Sequence, residues 1–143
     1  MSLPGEQLRE FLATHKFLGG IQVMDRDYSL PDGNYISRFG KRFRNFLFSI
    51  GVAYAAERWD CDNFALIAVG LAKLDHGNHF KGETDLAVGM VSIVTETTVH
   101  VLVGVVHDEG GKLKLRLYEP QPNGVQCFVE LQQQPEQFLS CYF

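Results

Sequence analysis

The sequence predicts an α+β fold, with helices first and an antiparallel sheet after them. Three observations carry this. In the first half of the 143 residues, apolar side chains recur at spacings of three and four. From Leu86 onward they alternate, or run together in segments rich in Val and Ile. Between the halves, "DHGNHFKGETD" (Asp75–Asp85) is polar and reads as a loop.

"PGEQLREFLATHKF" (Pro4–Phe17) places Leu8, Phe11 and Leu12 in one helical stripe. "GGIQVMDRDYSLPDGN" (Gly19–Asn34) is a loop with a short strand at Ile21–Met24. "YISRFGKRFRNFLFSIGVAYAAE" (Tyr35–Glu57) carries Ile36, Phe39, Phe43, Phe46 and Leu47 on one face of an amphipathic helix. Its Arg38, Lys41, Arg42 and Arg44 read as the wetted face rather than as phosphate contacts. In "DCDNFALIAVGLAKL" (Asp60–Leu74), Asp60 suits an N-cap, and Phe64, Ala65, Ala68, Leu71 and Ala72 share a face with Cys61. Strands then follow at "LAVGMVSIVT" (Leu86–Thr95), "TVHVLVGVVHD" (Thr98–Asp108), "KLKLRLYEP" (Lys112–Pro120), "VQCFVE" (Val125–Glu130) and "FLSCYF" (Phe138–Phe143). An Asp-Glu-Gly-Gly turn at Asp108–Gly111 makes the second and third a hairpin.

Hydrophobic residues at 45% and charged residues at 21% fit one globular domain, residues 1–143. A net charge of −4 supplies no basic field for nucleic acid. No apolar run approaches the ~18 residues of a membrane span, so no membrane partner is expected. The start has neither a basic n-region nor an apolar h-region, and a cytoplasmic location is favoured. The three cysteines form no disulfide framework and no zinc spacing. Cys127 and Cys141 sit in apolar strand-like contexts and read as packed thiols.

Cys61 is different. A helix N-terminus favours the thiolate, while Asp60 is engaged as the cap and Asp62 points to another helix face. His100 interrupts a strand that otherwise reads as buried, as a base or as a core histidine bonded to backbone. Glu119 continues the parity of Leu113, Leu115 and Leu117 and so points inward. The hairpin register would set Glu119 across from His100. Gln121, just past Pro120, either donates to an oxyanion or holds the loop.

The words "RWDCDNFA" (Arg58–Ala65), "VHVLVGVV" (Val99–Val106) and "YEPQPN" (Tyr118–Asn123) resemble the papain-like C-terminal cysteine protease domain of fungal calcium-dependent agglutinins, in the papain-like and transglutaminase-like superfamily. The similarity runs from about Tyr28 to about Asn123. The resemblance implies a papain-like fold with the nucleophile at a helix start, and a cysteine peptidase or amidase acting on a peptide or amide through an acyl-thioenzyme. Cys61 would be the nucleophile, His100 the base, Glu119 its orienting carboxylate and Gln121 an oxyanion-side or substrate-side amide. No cofactor is required, but the family is calcium-activated, which points to Asp60 and Asp62. The chain departs by lacking the family's β-trefoil lectin half and by having Asn63 where the family often has Asp. The alternatives are an NlpC-type murein peptidase, since "DCDNF" is similar to "DCSGF", an acyltransferase, and a non-catalytic binding or structural module that keeps the fold.

Overall fold

A computed structural model gives the architecture, with residues 2–51, 60–79, 84–96, 98–122 and 127–143 described. Three helices stand among them: α1 (Gly5–Ala13), α2 (Gly33–Ile50) and α3 (Cys61–His79). Leu8 and Leu12 of α1 are fully buried, as their spacing requires. In α2 the Asp32 carboxylate accepts from the Tyr35 N–H at 2.6 Å, which satisfies one of the donors a helix start leaves open. The helix ends where Gly51 turns to φ 68°, a conformation that favours a residue without Cβ. Ile36, Phe39, Phe43 and Leu47 are buried, whereas Phe46 at the edge of the stripe stays partly exposed. The remainder of the predicted helix, residues 52–57, lies outside the described residues.

α3 buries Phe64, Ala65, Ala68, Val69 and Ala72. It also runs through residues 75–79, where the sequence predicts a loop. Side-chain anchoring to α2 explains the extension. Arg42 donates to Asp75 at 2.8 Å, the Tyr35 hydroxyl donates to the Ala72 carbonyl at 3.1 Å, and His76 is buried. Tertiary contacts here outweigh the local polarity that suggests a break.

The strands form two sheets. β1 (Ser2–Pro4), β3 (Asp27–Ser29) and β4 (Asp85–Leu86) make the smaller, in the order β1-β3-β4. β2 (Ile21–Gln22), β5 (Val88–Val94), β6 (Val99–Asp108), β7 (Leu113–Glu119), β8 (Val129–Glu130) and β9 (Gln137–Tyr142) make the larger, ordered β2-β9-β5-β6-β7-β8. The α+β class stands, but the sheets are not wholly antiparallel: β2 runs parallel to β9, and β3 to β4. The run of consecutive neighbours β5-β6-β7-β8 also breaks at its end, because β9 returns to the free side of β5. β5 is apolar on both faces, so it belongs inside a sheet rather than at its edge.

Alternation along β5, β6 and β7 divides the core in two. Val88, Val103, Val105 and Tyr118 pack with α2 and α3. Val91, Ile93, Leu102, Val106, Leu115 and Leu117 pack with Leu8 and Leu12 of α1. Gly104 sits on the α1 side, where a Cβ would collide with Val91, so no larger residue fits. The β6–β7 register pairs Val103 with Tyr118, two residues away from the predicted pairing. An even offset preserves parity, so His100 and Glu119 still share a face, diagonally rather than directly opposed.

Candidate functional site

Cys61 is the first residue of α3 and is partly buried. The Asp60 carbonyl accepts from the Phe64 N–H at 3.1 Å. The Asn63 amide oxygen lies 3.4 Å from the Asp60 N–H, and the Asp62 carboxylate accepts from the Asn63 N–H at 3.0 Å. The cysteine thus has the helix-terminal position that the sequence predicts. Arg58 and Trp59, part of the same sequence word, lie outside the described residues.

Asp60 and Asp62 are close neighbours rather than pointing apart. The Asp60 carboxyl is pushed above its ordinary value, first by the hydrogen bond it shares with Asp62, then by desolvation and by the charge of Asp62. Among the described residues no group of three or more His, Cys, Asp and Glu gathers as metal ligands. Two carboxylates and one amide oxygen, the latter already turned to a backbone N–H, fall short of the about six to eight oxygens that calcium takes.

His100 and Glu119 are brought together. Nε2 of His100 contacts Oε2 of Glu119, and both side chains are roughly three-quarters buried. The other Glu119 oxygen accepts from the Gln121 backbone N–H at 3.1 Å. Gln121 therefore joins the cluster through its main chain. The carboxylate ties the start of β6 to the segment beyond Pro120. Behind it, the Cys127 thiol donates to the Pro120 carbonyl at 3.2 Å, and burial pushes that thiol up to about 11. Burial likewise pushes Cys141 up to about 12, so both are packed thiols.

Register separates the two halves of the predicted triad. α3 packs on the face of Val101, Val103 and Val105. His100 is directly opposite Ile93 and alternates with Val101, which puts it on the α1 face with Leu102 and Val106. Glu119 follows Leu115 and Leu117 on that same side. Among the hydrogen bonds of the described residues, none joins Cys61 to His100.

What α3 does meet on its own face is an open groove of about 330 Å³. Asp62 borders it, with Gln22 from β2, Ser92 from β5, and Ser140 and Tyr142 from β9. Ser92 stands directly opposite Ser140, and Met90 opposite Tyr142. The Tyr142 side chain is 44% exposed. Sequence reasoning missed this groove. Its signal was present: Ser92 and Ser140 share the parity of core-facing residues in otherwise apolar strands, where a polar residue needs a reason.

The fold is shared with two solved structures. The structure of PSL1a in complex with E64 matches at a TM-score of 0.72 and 16% identity, covering 99% of this chain and 50% of that one. Polyporus squamosus lectin, bound to the human-type influenza-binding epitope Neu5Aca2-6Galb1-4GlcNAc, matches at a TM-score of 0.70 and 19% identity, covering 99% of this chain and 49% of that one. The chain spans about half the length of either. No protein-family model matches the chain, and no curated protein does.

These comparisons correct the sequence reading. The recognition as a papain-like protease domain gives way to neighbours of lectin description. The assignment as a cysteine peptidase or amidase falls with it. So does the peptide or amide substrate, since the partner described for the lectin is a glycan epitope.

Proposed function

We propose that this chain is a non-catalytic binding module, one domain over residues 1–143, whose α3-side groove receives a hydroxylated ligand of the oligosaccharide class. The observation that carries this is the pairing of Ser92 with Ser140 on the α3 face, bordered by Gln22, Asp62 and the half-exposed Tyr142. Sugar hydroxyls both donate and accept, and they match a wall of serine hydroxyls, an amide and a carboxylate. A tyrosine presents an apolar ring face to sugar C–H groups while keeping a polar tip. Convergent polar groups around a small apolar floor, here Met90 and Val101, are the usual composition of a small-molecule site. The lectin description of the fold neighbour supports the reading. The groove itself carries it, because this chain spans only half of that protein.

In this reading Cys61 opens α3 beside the groove, and His100, Glu119 and Gln121 act as a clamp that fixes the β6–β7 margin. The test is retention of the full chain on an array of neutral and acidic oligosaccharides, alongside Tyr142→Ala and Asp62→Asn. Both variants are expected to melt with the wild type and to lose retention. No retention by any oligosaccharide, together with turnover of an acyl substrate that disappears in Cys61→Ala, overturns the proposal.

A further inference from the structure

At the other end of β6, still on the α2 and α3 side of the sheet, a second and larger cavity of about 750 Å³ opens between α2 and the strands β6, β7 and β8. We infer that it binds an anionic sugar: a small ligand with free hydroxyls and one phosphate or carboxylate group.

The first observation is His107, which lines the cavity and is only 6% exposed. Its Nδ1 lies 2.9 Å from the Pro31 carbonyl oxygen. A carbonyl only accepts, so Nδ1 carries the proton. Burial holds the imidazole below its ordinary protonation range and keeps it neutral. Nε2 is then a bare acceptor, and among the described residues it has no partner. A buried acceptor without a donor is unfavourable, and a ligand hydroxyl reaching this nitrogen removes the deficit.

The second observation is independent and lies farther along α2. Lys41 and Arg44 are three residues apart and border the same cavity. The Arg44 guanidinium lies over the Phe48 ring at 5.3 Å, yet its Nε is buried without a partner among the described residues. Two of the four carboxylates around the cavity are paired with cations, and the other two cap backbone N–H groups away from Lys41 and Arg44. Glu109 is paired with Lys114 and Arg116, and Glu130 with Arg116. Asp32 accepts from the Tyr35 N–H and Asp108 from the Gly111 N–H. Neither Lys41 nor Arg44 has an ion pair among the described residues, which leaves this end of the cavity open to an anionic group on the ligand.

The geometry fixes the order of these groups. Helical rise separates the level of Asp32, next to the His107 contact, from that of Lys41 by roughly 14 Å. Long helical side chains lean toward the N-terminus and shorten the gap. An anionic group at Lys41 and Arg44, with hydroxyls extending toward His107, spans what remains.

The experiment is isothermal titration of the full chain with glucose 6-phosphate, glucuronate, glucose and inorganic phosphate. At least one of the two acidic sugars is expected to saturate a single site, with glucose and inorganic phosphate weaker by about tenfold or more. The tighter acid identifies the anionic group. Arg44→Gln is expected to weaken that binding about tenfold, by loss of a charge-assisted hydrogen bond. The ¹⁵N resonance of the His107 Nε2 in the unsubstituted protein is expected to move as it gains a donor, a readout that needs no substitution in the core. The inference is overturned by failure of both acids to saturate, by glucose or phosphate binding as tightly as the better acid, by unchanged affinity in Arg44→Gln, or by a stationary Nε2 resonance.

Discussion

On the α1 side of the six-stranded sheet, Leu102, Val106, Leu115 and Leu117 meet Leu8 and Leu12 in a closed apolar cluster. Within it the buried Tyr28 hydroxyl donates to the Phe143 carbonyl, and at its margin His100 and Glu119 hold each other. On the α3 side, Phe64 and Ala68 press onto Val103 and Val105, but the helices cover only part of the surface. The groove with Asp62, Ser92 and Ser140 opens at one end of β6, and the cavity at His107 opens at the other. The two faces alternate residue by residue along the same strands. A single step in β6, from His100 to Val101, moves a side chain from one to the other. Which residues can act together is therefore decided by register and not by proximity in sequence.

Core substitutions on the two faces should give the largest effects and separate the faces most cleanly. Phe64→Ala is expected to cost about 3–5 kcal/mol and Leu102→Ala about 2–5 kcal/mol, from lost burial and the cavity left behind. Urea titration reads both. Below the transition, Phe64→Ala should also weaken oligosaccharide retention, since Phe64 anchors the first turn of α3, which carries Asp62, whereas Leu102→Ala should not. Equal losses of retention would mean that the faces are mechanically one unit.

Next in size is Tyr142→Ala, which removes the exposed ring at the groove. Retention is expected to fall about tenfold with an unmoved melting temperature, as for a partly exposed aromatic contact. Smaller again is Glu119→Gln. The His100–Glu119 pair is partly solvated, so its loss is expected to cost only about 1 kcal/mol, read by urea titration. Retention should be unchanged, because the clamp faces away from the groove. A loss of retention without a loss of stability would tie the two faces functionally.

The smallest effect is in pH. Burial lowers His107 from its ordinary 6.5, so the unfolded chain binds this proton more readily than the folded protein. Its neutral form supports folding fully above that value, and the support is lost as pH falls through the lowered folded-state value. Wild-type melting temperature should fall more steeply below pH 6.5 than that of His107→Gln. Parallel curves would place the acid sensitivity elsewhere.

Much of the frame is legible in the sequence because it depends on period. Leu8 and Leu12, the Ile36–Leu47 stripe, and the alternation of Leu115 and Leu117 with Lys114 and Arg116 each announce their faces. The contact between His100 and Glu119 is legible for the same reason. What periodicity does not carry is which face each helix covers. Nothing local to Cys61 says that α3 lies against Val101 rather than His100. The extension of α3 past Leu74 depends on Arg42 and Tyr35, far away in the chain. The parallel pairing of β2 with β9 joins residues from opposite ends of the sequence. The groove was missed because its residues come from five separate elements, although Ser92 and Ser140 each broke an apolar pattern. The basic run of α2 was read as wetted surface, yet Lys41 and Arg44 turn to a cavity.

Cys61 opens α3 and His100 alternates with Val101 on β6, and we propose that the two do not form a reacting pair. The direct measurement is intact-mass spectrometry of the chain mixed with E64, the compound held in the PSL1a structure, with iodoacetamide as a second thiol probe. The account predicts no stoichiometric E64 adduct, and iodoacetamide labelling of Cys61 at a rate that is the same in His100→Ala. A one-to-one E64 adduct that disappears in Cys61→Ala, or Cys61 labelling that collapses when His100 is removed, would contradict it.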